Sequence, residues 1–271
     1  MAPLRDTLSM ESIETFAKAV AVQCLLGLQL VHAKQALHRD VKPENILLSD
    51  NGRVKWCDFE TITDTENHPS TVTGTESYLA PEVIKNVNGS VRNLYTSKID
   101  IWALGLTLYS ILCGGLPAEL SGLRYAVVLC NNPTENEQEC IDRLFVMPKE
   151  VSVPFRDFVR SMITVNPQNR RDAFSLALDE SLSSLYTNND SLTSPKQVGD
   201  AAKSLTSLLK THVNFDKVAD AEEELRSICR LSLAEQPEVL FHYKNVVAYR
   251  QRAAIKTVQD FLKTLTKSVK Q

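Results

Sequence analysis

The sequence predicts a mainly α fold of the α+β class, with one small β-hairpin and a helical C-terminal appendage. Three observations carry this. Apolar residues recur at helical spacing over 13–37 and again over 96–113. The clear strand signal is a pair of short apolar runs, Ile46–Leu48 and Val54–Cys57, split by Ser49-Asp50-Asn51-Gly52. Asn-Gly between apolar runs is a hairpin signal, because glycine accepts the left-handed backbone of a tight turn. Last, a Ser/Asn/Thr-rich stretch over 181–196 separates the body from a tail, 197–271, with three further helical patterns.

Each element has a local reason. In 13–37, Ile13, Phe16, Val20, Leu26 and Leu30 share a face, and Ala17, Ala19 and Ala21 are strong helix formers. The stretch 58–80 is polar and threonine-rich with little periodicity, so it reads as a long loop, and loops of that length tend to be functional. Trp102, Leu104, Leu106, Leu108, Ile111 and Leu112 crowd all sides of the next helix, which makes it a buried one. Gly114-Gly115 and Pro117 end it. Further helices are expected over 120–130, 136–147 and 153–164, and in the tail over 197–212, 216–234 and 237–268. No internal repeat is visible.

Composition narrows the function. The chain has 271 residues, 43% hydrophobic and 23% charged, with net charge −3. It can bury a core without staples. The charge excludes a globally basic nucleic-acid binder. No run of 18 apolar residues occurs, so no membrane span is expected, and the opening MAPLRDTLSM does not read as a signal peptide. Cysteines stand at 24, 57, 113, 130, 140 and 229 without a C-x-x-C pair. They read as reduced thiols of an intracellular, cytoplasmic protein. His32, His38, His68, His212 and His242 show no metal-ligand spacing.

The chemistry concentrates in His38-Arg39-Asp40-Val41-Lys42-Pro43-Glu44-Asn45, which fits H-R-D-x-x-x-x-N. Asp58-Phe59-Glu60 follows the hairpin, and Ala80-Pro81-Glu82 closes the polar stretch. Asp100-Ile101-Trp102-Ala103-Leu104-Gly105 and Asn166-Pro167-Gln168-Asn169-Arg170 come later, in order. A lone H-R-D is a chance tripeptide; an ordered set of this length is not. On these residues the chain resembles the eukaryotic protein kinases, serine/threonine type, over about residues 4–175. The resemblance implies a protein-kinase-like C-lobe over 1–180, a linker over 181–196 and a helical extension over 197–271.

It also implies roles. Phosphoryl transfer needs positioning and charge stabilisation more than covalent help. Asp40 would take up or orient the attacking hydroxyl. Lys42 would place a cation near the transferring phosphate and marks the Ser/Thr branch. Asn45 and Asp58 supply hard oxygens for Mg²⁺. Lys42, Glu44, Asn45, Leu47, Cys57 and Asp58 would face ATP. Arg39 would pair with an activation-loop phosphate, on Thr71 first or Thr73 second, the alternative being unmodified threonines in a polar loop. Thr75 would sit near Asp40. His38, Asp100 and the ion pair Glu82–Arg170 would be structural.

Two departures matter. Only 37 residues precede His38, and they hold no G-x-G-x-x-G. An N-lobe needs about 25–30 strand residues and a helix, so the expectation is that this lobe is not in the chain. ATP would then bind weakly, and Ile46, Leu47, Leu48 and Phe59 would be exposed to a partner or to aggregation. Glu60 replaces the glycine of D-F-G, which adds negative charge and removes backbone freedom. Asn86–Asn93 reads as a small loop insertion.

The functional expectation is a Ser/Thr protein kinase acting on protein hydroxyls with Mg-ATP. The alternatives are a non-catalytic pseudokinase fragment that binds proteins through its exposed face or tail, and an isolated chain that is unstable. From 239 onward there are seven basic residues and one acid. That pattern is either a solvated face or a surface for an acidic partner or membrane.

Overall fold

The computed structural model of the protein describes residues 8–64, 70–86, 94–120, 136–186 and 250–264. Helix α1 (Met10–His32) opens it. Ser9 caps it by accepting from the Ser12 N–H at 3.3 Å, the usual way to satisfy a free helical donor. One face, from Ile13 through Ala17, Ala21 and Cys24 to Leu28, is fully covered. By length and composition α1 could cross a membrane, yet most of it is buried inside the fold.

The helix expected over 13–37 stops at His32. Gln35 takes a left-handed backbone, φ 53°, and turns the chain back. Ala36–Leu37 then forms β1, paired antiparallel with β4 (Thr63–Asp64). The apolar spacing continues through Leu37, so periodicity alone could not see the reversal. The expected loop over 58–80 accordingly contains β4 and a 3-10 turn at Glu76–Tyr78.

The expected hairpin is present. Strands β2 (Ile46–Leu48) and β3 (Val54–Trp56) pair with Ile46 opposite Trp56 and Leu48 opposite Val54. Its turn closes through Gly52 N–H to Ser49 O at 2.8 Å, and Gly52 alone is left-handed, φ 74°. Gln23 of α1 clamps this turn with both ends of its amide. Its nitrogen donates to Gly52 O at 3.1 Å and its oxygen accepts from Val54 N–H at 3.0 Å. Gly27 of α1 lies under the Trp56 indole, where a Cβ would stand 2.5 Å from Nε1.

After the short α2 (Pro81–Ile84), helix α3 (Lys98–Cys113) runs through the centre. It ends at left-handed Gly114, φ 79°. Helices α4 (Glu137–Leu144), α5 (Val153–Met162) and α6 (Ala173–Ala177) follow. α4 and α5 are shorter than the expected 136–147 and 153–164, because Phe145 and Ile163 leave the helical backbone. Helix α1 packs on α3, α6 and β3. Glu14 of α1 caps α5 from outside, accepting from Ser152 N–H at 2.7 Å and its hydroxyl at 2.5 Å. Lys18 pairs with the same carboxylate at 2.7 Å.

Residues expected to begin a linker instead form a 3-10 segment, Glu180–Tyr186, with Leu182 buried. The tail is helical over 250–264, here α7. It is seated against α1: Ala254 and Val258 are fully buried, and Phe261 stacks on Phe16 with ring centroids 4.1 Å apart. Leu120 closes a 3-10 turn, Ala118–Leu120, and the rest of the helix expected over 120–130, those over 197–212 and 216–234, residues 237–249 and 265–268 of the one over 237–268, and residues 87–93 of the loop insertion lie outside the described residues.

Candidate active site

Asp100, at the start of α3, organises the loop that precedes β2. Its carboxylate is buried and accepts from His38 N–H and Arg39 N–H, each at 2.9 Å, and from His32 Nε2 at 2.8 Å. These bonds hold a turn in which Arg39 has φ 64°. A left-handed non-glycine residue is costly and persists only where its surroundings over-determine it. The His38 ring is buried between Trp56 and Phe59, with centroids 5.1 Å and 5.4 Å away. Neither ring nitrogen has a partner among the described residues. Burial pushes the His38 pKa down, and the Asp100, Asp40 and Asp58 carboxylates, which pull it up, do not reverse that.

Asp40 is the focus. Oδ1 accepts from Thr75 twice, from N–H at 2.9 Å and from the hydroxyl at 2.7 Å. Oδ2 accepts from Lys42 Nζ at 2.7 Å and Asn45 Nδ2 at 2.9 Å. Lys42 also donates to the Thr75 hydroxyl at 2.6 Å. Burial raises the Asp40 pKa, but the bonds from Lys42, Thr75 and Asn45 outweigh it and hold the carboxyl below its ordinary value. Asn45 Nδ2 donates to Asp40 O as well, at 2.8 Å. Its amide nitrogen is thus committed and its oxygen is left as the acceptor for a cation.

Asp58 stands across the hairpin, exposed, with φ 61°. The ladder ties the two oxygen-bearing residues together: Cys57 N–H donates to Asn45 O at 3.0 Å. An amide oxygen and a carboxylate are the hard donors that Mg²⁺ takes. Among the described residues, no group of three or more His, Cys, Asp or Glu side chains could hold a metal ion. Leu47 is 52% exposed and Phe59 50%, while Ile46, expected to be exposed with them, is half-buried against the core. Glu44 is exposed and Cys57 half-buried.

The loop after Asp58 is tied to the same turn. Arg39 Nε donates to Thr61 O at 2.6 Å and Nη1 to the Thr71 hydroxyl at 3.2 Å. Tyr95 completes this corner, donating to Thr71 O at 2.8 Å and accepting from Arg39 at 3.4 Å. Thr73 is half-buried and makes no such contact with Arg39 among the described residues. Gly74 is left-handed, φ 111°, and a Cβ there would run into the Arg39 carbonyl oxygen. Below, Arg170 is buried and all its donors are used. Nη1 and Nη2 fork onto Glu82 at 2.7 Å and 2.8 Å. The remaining bonds go to Lys98 O, Thr164 O and Val165 O.

The family model for the protein kinase domain matches residues 4–181. The chain belongs to that family. Among curated proteins it is 35% identical over 162 residues to "Serine/threonine-protein kinase pakA" of Talaromyces marneffei, covering 58% of this chain and 23% of that one. It is 35% identical to "Serine/threonine-protein kinase cst-1" of Caenorhabditis elegans, covering 58% and 30%. It is 33% identical to "Serine/threonine-protein kinase PAK 1" of Mus musculus, covering 58% and 27%. The chain thus spans less than a third of the length of these relatives.

Within this kinase family frame, the motifs converge on one surface: Asp40, Lys42, Asn45 and Thr75 in contact, with Asp58 across the hairpin. Sequence reasoning missed Tyr95, Gln23 and the His32–Asp100 bond. Tyr95 and Gln23 belong to no motif, and His32 gave no signal beyond being a histidine without ligand spacing.

Proposed function

We propose that this chain carries the catalytic surface of a serine/threonine protein kinase, transferring the γ-phosphoryl group of Mg-ATP to a protein Ser or Thr hydroxyl. The observation that carries this reading is the contact of Lys42 and Thr75 with a single buried, ionised carboxylate, Asp40. The new O–P bond forms at the acceptor oxygen, the bond from the γ-phosphorus to the bridging oxygen breaks with ADP leaving, and the hydroxyl proton passes to Asp40. A carboxylate offers about four lone-pair sites, and four donors fill them here. An acceptor hydroxyl must therefore displace one donor. Lys42 is the one with a long flexible stem, and moving it toward the γ-phosphate would open Asp40 while neutralising charge on the transferring group. Asn45 and Asp58 would hold Mg²⁺, which would offset the phosphate charge. The other wall of the nucleotide site would come from outside the described residues, against Leu47 and Phe59.

Binding of Mg-ADP to the purified chain, read by calorimetry and thermal shift, tests the reading. Asp58→Asn should abolish the Mg²⁺-dependent part, and Asp40→Asn should leave binding in place while abolishing transfer to a Ser/Thr peptide pool. Nucleotide binding that is indifferent to both Mg²⁺ and Asp58 contradicts it. A second reading, a non-catalytic binding module, is favoured by the exposed Leu47 and Phe59 and by Glu60. Its signature is the absence of any Mg-nucleotide binding at millimolar concentration.

A further inference from the structure

Helix α7 lies outside the stretch that the family model matches, yet it is built into the lobe. Three contacts hold it. Phe261 stacks on Phe16 of α1, with planes 16° apart. Buried Arg250 donates to the carbonyls of Ala177 and Leu178, at the C-terminal end of α6, where a cation complements the free carbonyls. Gln259 Nε2 donates to Asn51 O at 2.8 Å. The groove is shaped for a helix. A Cβ on Gly52 would strike the Ile255 carbonyl oxygen and stand 2.5 Å from Gln259 Cγ, so only glycine lets α7 come this close. The buried side chains at the crossing are small, Ala254 and Val258. The outward face carries Gln251, Arg252, Lys256, Asp260 and Lys263, all exposed.

We propose that the groove between α1, the β2–β3 turn and the end of α6 is a receptor for an amphipathic helix. Its occupant is the chain's own α7, bound in cis, and its occupancy sets the rigidity of the hairpin. The turn is gripped from two sides, by Gln23 of α1 and by Gln259 of α7, at adjacent carbonyls, Gly52 O and Asn51 O. β2 begins directly after Asn45, and β3 ends two residues before Asp58. Whatever loosens the turn therefore loosens the spacing of those two oxygens. A partner that grips the apolar face of α7 would act on the site without touching it.

The test is amide hydrogen exchange on the full chain. In Ala254→Asp, a carboxylate replaces a buried methyl and should expel α7. Exchange at Ser49, Gly52, Arg53 and Val54 should rise about tenfold or more, while the core of α3 keeps its protection. A synthetic peptide of residues 250–264 should restore the protection, and the same peptide carrying Ala254→Asp should not. Gln259→Ala, which removes only the bond to Asn51, guards against wholesale unfolding of the first variant and should raise exchange at the turn alone. Unchanged exchange at the turn in both variants overturns the proposal. So does a parent chain that sediments as a dimer and becomes monomeric on adding the peptide, since α7 would then be seated on a second copy.

Discussion

Thr75 holds Asp40 with two donors on one oxygen, a backbone N–H at 2.9 Å and a hydroxyl at 2.7 Å. The N–H bond survives any substitution that keeps the backbone, so the hydroxyl can be tested alone. Thr75→Val removes it and strips Lys42 of its second acceptor. The Asp40 pKa should rise from its lowered position, seen as an upward move of the carboxyl titration by carbon NMR. Stability should fall by about 1.5–3 kcal/mol, the range for a bond to a charged group. Thr75→Ser should restore both. A titration that does not move would mean that the other donors set the carboxyl without help from the Thr75 hydroxyl.

The His38 ring predicts an acid sensitivity. Its pKa is lowered in the fold, so folding favours the neutral ring. The stabilising contribution is complete above the ordinary histidine value of about 6.5 and is lost as pH falls from there through the folded value. Asp40 and Asp100, also lowered, contribute above the ordinary carboxylate range and lose their share only below about pH 4. Melting temperature against pH should therefore fall in two stages. His38→Phe keeps both backbone bonds of this residue, removes two buried unpartnered nitrogens, and should erase the first stage. It should also stabilise at neutral pH, since an unsatisfied buried group costs about 1–3 kcal/mol.

Removing the Arg170 guanidinium leaves Glu82 facing a buried gap and frees three carbonyls. Arg170→Ala should cost about 3–5 kcal/mol, the usual result of breaking one side of a buried pair. Arg170→Lys should recover little, because an ammonium cannot reproduce the fork or the stacking on Trp102, whose ring lies 4.9 Å from the guanidinium carbon. Denaturant melts read both. A variant that melts with the parent removes the pair from the stabilising framework.

Gly27→Ala should run against helix propensity. In an exposed helix the change gains about 1 kcal/mol. Here the added methyl meets the Trp56 indole, which is pinned between the hairpin register and the His38 ring. Overpacking of this kind costs about 1–3 kcal/mol, so the net effect should be destabilising, with a shifted Trp56 emission. An increase in stability would show that the indole has room to give.

The parts of the site that were legible in the sequence are those whose residue types are tied to chemistry and to local spacing. Asp40, Lys42 and Asn45 fall within one turn, and Asp58 follows from the hairpin that Asn51-Gly52 announces. The parts that were not legible depend on chain geometry at long range. Gln35 ends α1 with a left-handed turn that apolar spacing conceals. Gln23 reaches a turn 29 residues away, and Tyr95 closes on Thr71 across a stretch with no motif. The tail shows the limit most clearly. Its apolar face was readable at Val258, Phe261 and Leu262, but the surface it meets is set by a missing Cβ at Gly52 and by two carbonyls at the end of α6. Arg250, counted in the sequence as one more basic residue, is buried as an anchor.

The burial of α1 has a consequence for synthesis. The helix leaves the ribosome ahead of every described element that covers it. Its cap on α5 waits for Ser152, and the ring that stacks on Phe16 belongs to residue 261. Until those residues are made, a 23-residue, largely apolar helix lacks part of its cover. Such a segment invites chaperone binding and competes with membrane-targeting factors that read nascent hydrophobicity. The late arrival of its cover makes the yield of folded protein depend on how the cell handles this one helix.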